Sequence, residues 1–202
     1  MWVALALGAA LLTSFNPILY KRILRDAEPL VVVWGVTLLA LPLLGLFTLA
    51  LTSEYPRIDR LFVLSVSGAA GLNVVAHLAS TKALKLADVS LVTPLLTFSP
   101  VFTLLISAIL FGETPSARGM LGVGLVLIGA YWLNLSSADR LAPLKAFALK
   151  PGIMLILLAG LLWAVTPLLE KTATRSGHTS PESPRFAAFV VTALLAVLLT
   201  LA

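Results

Sequence analysis

Long runs without charge alternate with short charged segments along the whole chain. Seven runs contain no Asp, Glu, Lys or Arg, and they cover residues 1–20, 29–53, 61–81, 89–112, 119–138, 151–169 and 186–202. Each run is close to the roughly 20 residues that a helix needs to cross a bilayer. Apolar and polar positions do not alternate within the runs, as they would in the strands of a membrane barrel. The pattern predicts an all-α membrane protein, folded as a multi-span helical bundle.

The composition agrees with a chain that lies in lipid. Of its 202 residues, 59% are hydrophobic and 11% are charged, whereas a soluble domain carries roughly 25% charged residues. The net charge of +5 is spread over the short segments between the runs, as expected for the flanks of membrane helices. We therefore expect the lipid bilayer, and no nucleic acid, as a partner.

The sequence contains no recognisable catalytic motif. His77 lies inside an apolar run and His178 in a connecting segment, which is too little for a metal site. The chain has no cysteine, which excludes a disulfide framework and a thiolate metal site. It also lacks the GxSxG nucleophile motif. We expect no enzyme activity, no cofactor and no metal.

Residues 80–131 predict a membrane hairpin. Asp88 is the predicted N-cap of its first helix, and Thr114 caps the second, with Pro115 at the first helical position. Pro94 and Pro100 lie inside the first helix of the hairpin. In a bundle, neighbouring helices and Ser or Thr hydroxyls can bond the carbonyls that these prolines leave free.

The same stretch carries a series of short motifs in order. They are Ala83-Leu84, Asp88, Ser90, Thr93-Pro94, Ser99-Pro100-Val101-Phe102, Leu110-Phe111-Gly112-Glu113 and the glycine-rich run from Gly122 to Gly129. This series resembles the third to fifth helices of EamA-type carriers in the drug/metabolite transporter superfamily. The resemblance implies a secondary transporter with a cytoplasmic N-terminus. It also implies solutes such as amino acids, sugar phosphates, nucleotide sugars or lipophilic cations, without indicating which.

An internal similarity predicts two inverted repeats. Shifting the first span by 150 positions places Pro17 on Pro167 and Lys21 on Lys171, within a shared pattern Pro-x-Leu-x-Lys-x3-Arg. In the next span of each copy, Thr37 corresponds to Thr192. Because one repeat has five spans, an odd number, the second copy must enter the membrane upside down, as in many secondary transporters.

These spans divide the chain into three parts. We predict a first five-helix repeat over residues 1–138, a connecting loop over 139–150, and the start of a second, incomplete repeat over 151–202. Because such carriers move one repeat against the other, residues 1–202 alone are expected not to transport.

Polar residues inside the spans indicate a solute site, because exposing them to lipid costs free energy. Asn73, His77 and Thr81 share one face of the third span, with Ser80 beside them, and the imidazole of a histidine can change charge near neutral pH. The predicted substrate-binding residues are Asn16, Tyr20, Asn73, His77, Thr97, Trp163 and Thr166.

Each of these positions also has a structural interpretation. The polar stripe of the third span could serve hydrogen bonds between helices, each contributing about 0.6–2 kcal/mol. Thr97 could bond carbonyls freed by the prolines. Tyr20, Lys21 and Lys171 could reach the headgroups as an interfacial belt, which we favour for the two lysines. Gly122 and Gly129 predict a flat face for close helix packing.

The sequence therefore predicts a carrier of the inner cell membrane that moves a small organic solute by alternating access. We expect an exporter or exchanger, with a homodimer as one possible assembly. The alternative is a membrane scaffold without transport, whose polar face binds helices of a partner.

Overall fold

The computed structural model describes residues 2–52, 58–96, 99–112, 116–133, 151–176 and 184–202. Nine helices account for nearly all of these residues, and these ranges contain no strand. The helices are α1 (Trp2–Thr13), α2 (Asn16–Ile23), α3 (Pro29–Leu51), α4 (Arg60–Leu86), α5 (Val89–Leu96), α6 (Ser99–Phe111), α7 (Ala117–Leu133), α8 (Pro151–Ser176) and α9 (Pro184–Leu201).

Five segments of the structure are long and apolar enough to cross a membrane. They are Val3–Ile23, which combines α1 and α2, then Pro29–Leu51, Arg60–Leu86, Pro151–Thr174 and Pro184–Leu201. Many large apolar side chains on these and the shorter helices face outwards, and Leu39 and Ile109 are 76% and 81% exposed. Lipid is the solvent that suits such a surface. The predicted all-α membrane bundle is confirmed.

The fourth predicted span, over 89–112, contains α5 and α6. The structure has α5 and α6 on either side of residues 97–98, which lie outside the described residues. Pro100 is the second residue of α6, a position where a proline costs no helical hydrogen bond.

Two helix boundaries differ from those that the sequence predicts. α4 continues past residue 81 to Leu86, and the Asp59 carboxylate caps its start by accepting a hydrogen bond from the Phe62 amide at 2.6 Å. α7 begins at Ala117, and the Ser116 hydroxyl accepts from the Gly119 amide at 3.2 Å. The cap of α7 is therefore Ser116. Thr114 and Pro115 lie outside the described residues.

The most extensive helix contact joins α4 to α8, and the two helices run in opposite directions. A first apolar cluster holds Ala83 of α4 with Ile153 near the start of α8. A second cluster, at the other end, holds Val66 of α4 with Ala173 near the end of α8. Small residues permit this close approach, as is common between membrane helices.

Gly152 lies at a close approach of α8 to the end of α4. A Cβ atom added to it would lie 2.9 Å from the Cβ of Ala87 and 3.4 Å from the carbonyl oxygen of Ala83. Only glycine fits at this position without displacing the end of α4.

α3 and α9 also pack against each other in opposite directions. The Trp34 indole donates to the Thr200 hydroxyl at 3.0 Å, and the Arg185 guanidinium donates to the Leu51 carbonyl at 2.9 Å. α3 is the second predicted span and α9 the seventh. Their opposite directions are what inverted repeats require, although the repeat relation itself stays a prediction.

Lys21 departs from the predicted interfacial belt. Its ammonium group donates to the carbonyl oxygens of Leu84 and Ala87, both at 2.7 Å, and is partly buried. These carbonyls lie at the C-terminus of α4, where the helix dipole favours a cation. Lys21 therefore joins α2 to the end of α4.

The predicted packing face of the fifth span is also not used within the described part of the chain. No described atom lies within 4 Å of a Cβ atom built on Gly122 or Gly129. α7 makes its main contact with α5.

Candidate functional site

His77 of α4 and Trp163 of α8 form an aromatic pair between the two helices. Their ring centroids are 5.3 Å apart and the ring planes meet at 75°, an edge-to-face arrangement. Both side chains are half-buried. Trp163 lies near the centre of its span, Pro151–Thr174, so the pair is placed close to the middle of the membrane.

The other members of the predicted stripe on α4 have different surroundings. Asn73, one turn before His77, is half-buried, and its amide forms no hydrogen bond with any residue that the structure describes. Thr81 is 2% exposed and its hydroxyl donates to the His77 carbonyl at 2.7 Å. Ser80 is also buried. Asn73 and His77 are thus the two side chains of the stripe that remain open to a ligand.

The face of α8 beside Trp163 carries two further polar groups. Thr166 is 3% exposed, and its hydroxyl donates to the Leu162 carbonyl at 3.2 Å, so its oxygen remains only as an acceptor. Glu170 is half-buried and follows Trp163 by seven residues and Thr166 by four, which places it on the same face. An ionisable side chain inside a span is a functional candidate. We add Glu170 to the candidate site on the basis of this spacing.

The remaining predicted residues lie at different distances from the pair. Tyr20 is half-buried and packs against the first cluster, to which Trp163 also belongs. Asn16, at the start of α2, is exposed. Thr97 lies outside the described residues. The structure therefore packs Tyr20 and Trp163 against the same cluster, whereas Asn16 is exposed.

Two other features are separate from this site. A groove of about 360 Å³ lies between α3 and α9 and is lined by apolar side chains and Thr200. Such a wall offers a solute little to recognise. Within the described ranges, no group of three His, Cys, Asp or Glu residues could hold a metal ion.

The sequence model of the EamA-like transporter family matches residues 1–135, about two thirds of the chain. The chain belongs to the EamA-like transporter family. It is accordingly a multi-pass membrane protein and a transporter of the drug/metabolite type. The family consists of transporters and is not a family of enzymes. No curated protein and no solved structure matches the chain.

The family match ends before α8, so Trp163, Thr166 and Glu170 lie beyond it. Tyr20, Asn73 and His77 lie within it. The contact of α4 with α8 therefore supplies half of the candidate site from a segment that the family description does not cover.

The aromatic pair predicts a measurable coupling between α4 and α8. Changing His77→Ala and Trp163→Ala together should cost less stability than the sum of the two single changes. We expect a coupling free energy of about 0.5–1.5 kcal/mol, the value typical of aromatic pairs. It is measured as the free energy of unfolding in mixed micelles.

Trp34→Ala provides the control, because the Trp34 indole bonds the Thr200 hydroxyl of α9. Its combination with His77→Ala should be additive. An equally additive result for the His77 and Trp163 pair would show that the ring contact contributes nothing.

Proposed function

We propose that this EamA-like transporter moves a small organic solute across the cell membrane through the site between α4 and α8. Asn73, His77 and Trp163 form its centre, with Tyr20, Thr166 and Glu170 around them. The site combines an aromatic surface with amide, imidazole and carboxylate groups. That combination suits a solute with both apolar and polar parts.

The observation that carries the proposal is the aromatic pair of His77 and Trp163 near the middle of the span. Beside it, the Asn73 amide has no hydrogen-bond partner in the described residues. Polar groups in a membrane helix are retained at a cost in free energy, and they typically line solute pathways. A transporter site near the midplane, between two repeats, is the usual arrangement in secondary carriers.

Alternating access gives the two helices their roles. α4 belongs to the predicted first repeat and α8 to the predicted second, so a movement of one repeat against the other would open the site to each side in turn. The solute would then be exchanged or exported, driven by a gradient. Pro167 in α8 supplies a weak point in the helix next to the site.

Water access at Asn73 tests the site without knowledge of the solute. In Asn73→Cys, a membrane-impermeant methanethiosulfonate reagent should label the new thiol. In Val75→Cys, the reagent should not label the thiol, because Val75 lies on the outer surface of the same helix, where the surrounding medium is lipid and not water. The chain has no native cysteine, so each thiol is the only target. Equal labelling at both positions would contradict a water-filled site.

Uptake into proteoliposomes tests transport, in a chain extended to complete the predicted second repeat. The probes are a labelled amino-acid mixture, a sugar phosphate, a nucleotide sugar and a lipophilic cation. We expect saturable uptake of one class, lost in Trp163→Ala. A labelled Asn73 thiol without uptake of any probe class would favour the scaffold alternative.

A further inference from the structure

The first span consists of two halves with different surroundings. α2 is attached to the bundle through Lys21, which bonds the end of α4, and through Tyr20, which packs against the first cluster. Leu24, directly after α2, is 2% exposed. In α1, by contrast, every side chain from Val3 to Thr13 is exposed. The first half of the span is therefore free of the contacts that hold the second.

Ser14 and Phe15 form a joint between the halves. The Thr13 hydroxyl donates to the carbonyls of Ala9 and Ala10 at 2.9 and 3.2 Å, and the Ser14 hydroxyl donates to the Leu11 carbonyl at 2.7 Å. Hydroxyls that bond the preceding turn in this way bend helices. Pro17 lacks an amide hydrogen and cannot bond the Thr13 carbonyl. The helix is weakened from both sides of this joint.

The joint lies at the level of the candidate site. Lys21 meets α4 at Leu84 and Ala87. α2 and α4 belong to the first and third candidate spans, which cross a membrane in the same direction. His77 precedes Leu84 by seven residues and Ser14 precedes Lys21 by seven, a rise of about 10 Å in each case. From the joint, the 12 residues of α1 extend about 18 Å further, a length that passes the level of Asn73.

We propose that α1 is a lid, which swings about the Ser14–Phe15 joint and covers or uncovers the side of the site, while Lys21 holds α2 in place. Lipid tails are as apolar as the leucines of α1, so the helix lies equally well against lipid or against the bundle. A small difference in free energy is then enough to move it. The use of this lid in transport rests on the proposed function, whereas the swing itself is measurable without a solute.

Spin-label distances in liposomes test the swing. One labelled pair joins α1 to α8 (Leu7→Cys with Leu158→Cys), and a second joins α2 to α8 (Leu19→Cys with Leu158→Cys). All three positions are exposed, by 67%, 42% and 51% for Leu7, Leu158 and Leu19. We expect one narrow distance for the α2 pair and a broad or two-peaked distribution for the α1 pair. A third pair, Leu86→Cys with Leu158→Cys, gives the width due to the labels alone.

Substitutions of Lys21 test whether this residue holds α2 in place, separately from the swing of α1. Lys21→Met should broaden the distance of the α2 pair, and Lys21→Arg should keep it narrow. An α1 pair as narrow as the third pair would overturn the lid. An α2 pair as broad as the α1 pair in the unchanged chain would overturn the joint.

If Lys21→Met leaves the α2 pair narrow, Lys21 is not the anchor. If that variant does not fold, the two pairs in the unchanged chain still decide the proposal. A chain that swings but moves no solute would contradict the proposed function and leave the lid intact.

Discussion

Replacing Lys21 by methionine is expected to lower the free energy of unfolding by about 2–4 kcal/mol. The change removes two hydrogen bonds from a charged donor to the carbonyls of Leu84 and Ala87, both at 2.7 Å. Such bonds contribute about 1.5–3 kcal/mol each, and the carbonyls left behind lose a partner. The helix dipole of α4 also loses its cation. Unfolding by a denaturing detergent in mixed micelles measures the loss.

Arg22→Met is the matched control, because Arg22 is the next residue and its side chain is exposed. The two variants remove the same charge from the same helix. Equal losses would show that the hydrogen bonds to α4 contribute nothing beyond general electrostatics. Lys21→Arg should recover part of the stability, since a guanidinium can donate to the same carbonyls with a different geometry.

Gly152→Leu should destabilise the contact between α4 and α8 by about 2–3 kcal/mol, the usual cost of overpacking. Even the first atom of a new side chain would lie 2.9 Å from the Cβ of Ala87. That neighbour is the C-cap residue of α4, and its methyl group has no rotamer that would move it away, so α8 or the end of α4 must shift. Because α8 carries Trp163, the same change should weaken any solute binding. The unfolding free energy and proteoliposome uptake are the two measurements.

Gly122→Leu controls for the intrinsic preference of leucine over glycine in a helix, which favours leucine by roughly 1 kcal/mol. Gly122 is exposed and no described atom lies within 4 Å of its added Cβ. This variant should be neutral or slightly more stable. A loss at Gly122 as large as at Gly152 would mean that the effect comes from glycine replacement in general and not from the helix contact.

The end of α4 shows that charge-free runs are a poor guide to helix boundaries. The charge-free run ends at residue 81, whereas α4 continues to Leu86 and includes the lysines at 82 and 85. Both residues lie on the last turns of the helix, where a basic side chain is favoured by the helix dipole.

Other differences come from contacts between distant parts of the chain. Lys21 resembles an interfacial lysine in every local respect, and only its position beside α4 shows that it is a helix cap. Gly152 has no motif around it, and its role follows from the approach of Ala87. The glycines of the fifth span, in contrast, match a known packing motif but face no described helix.

The sequence by itself determined the membrane class, the helical architecture and the family of this protein. Bilayer thickness and the need to bond every backbone amide within a helix act on windows of about 20 residues. Such windows can be seen directly in the chain, as can the motifs of the EamA-like family.

Only the tertiary structure decided which helices meet. Apolar runs rich in leucine can pack in many pairings of similar free energy, and nothing local distinguishes them. The contact of α4 with α8 brings His77 to 5.3 Å from Trp163, across 86 positions of the chain. Small residues such as Gly152 and Ala83 select this pairing by shape, because they allow two backbones to approach where larger side chains would not.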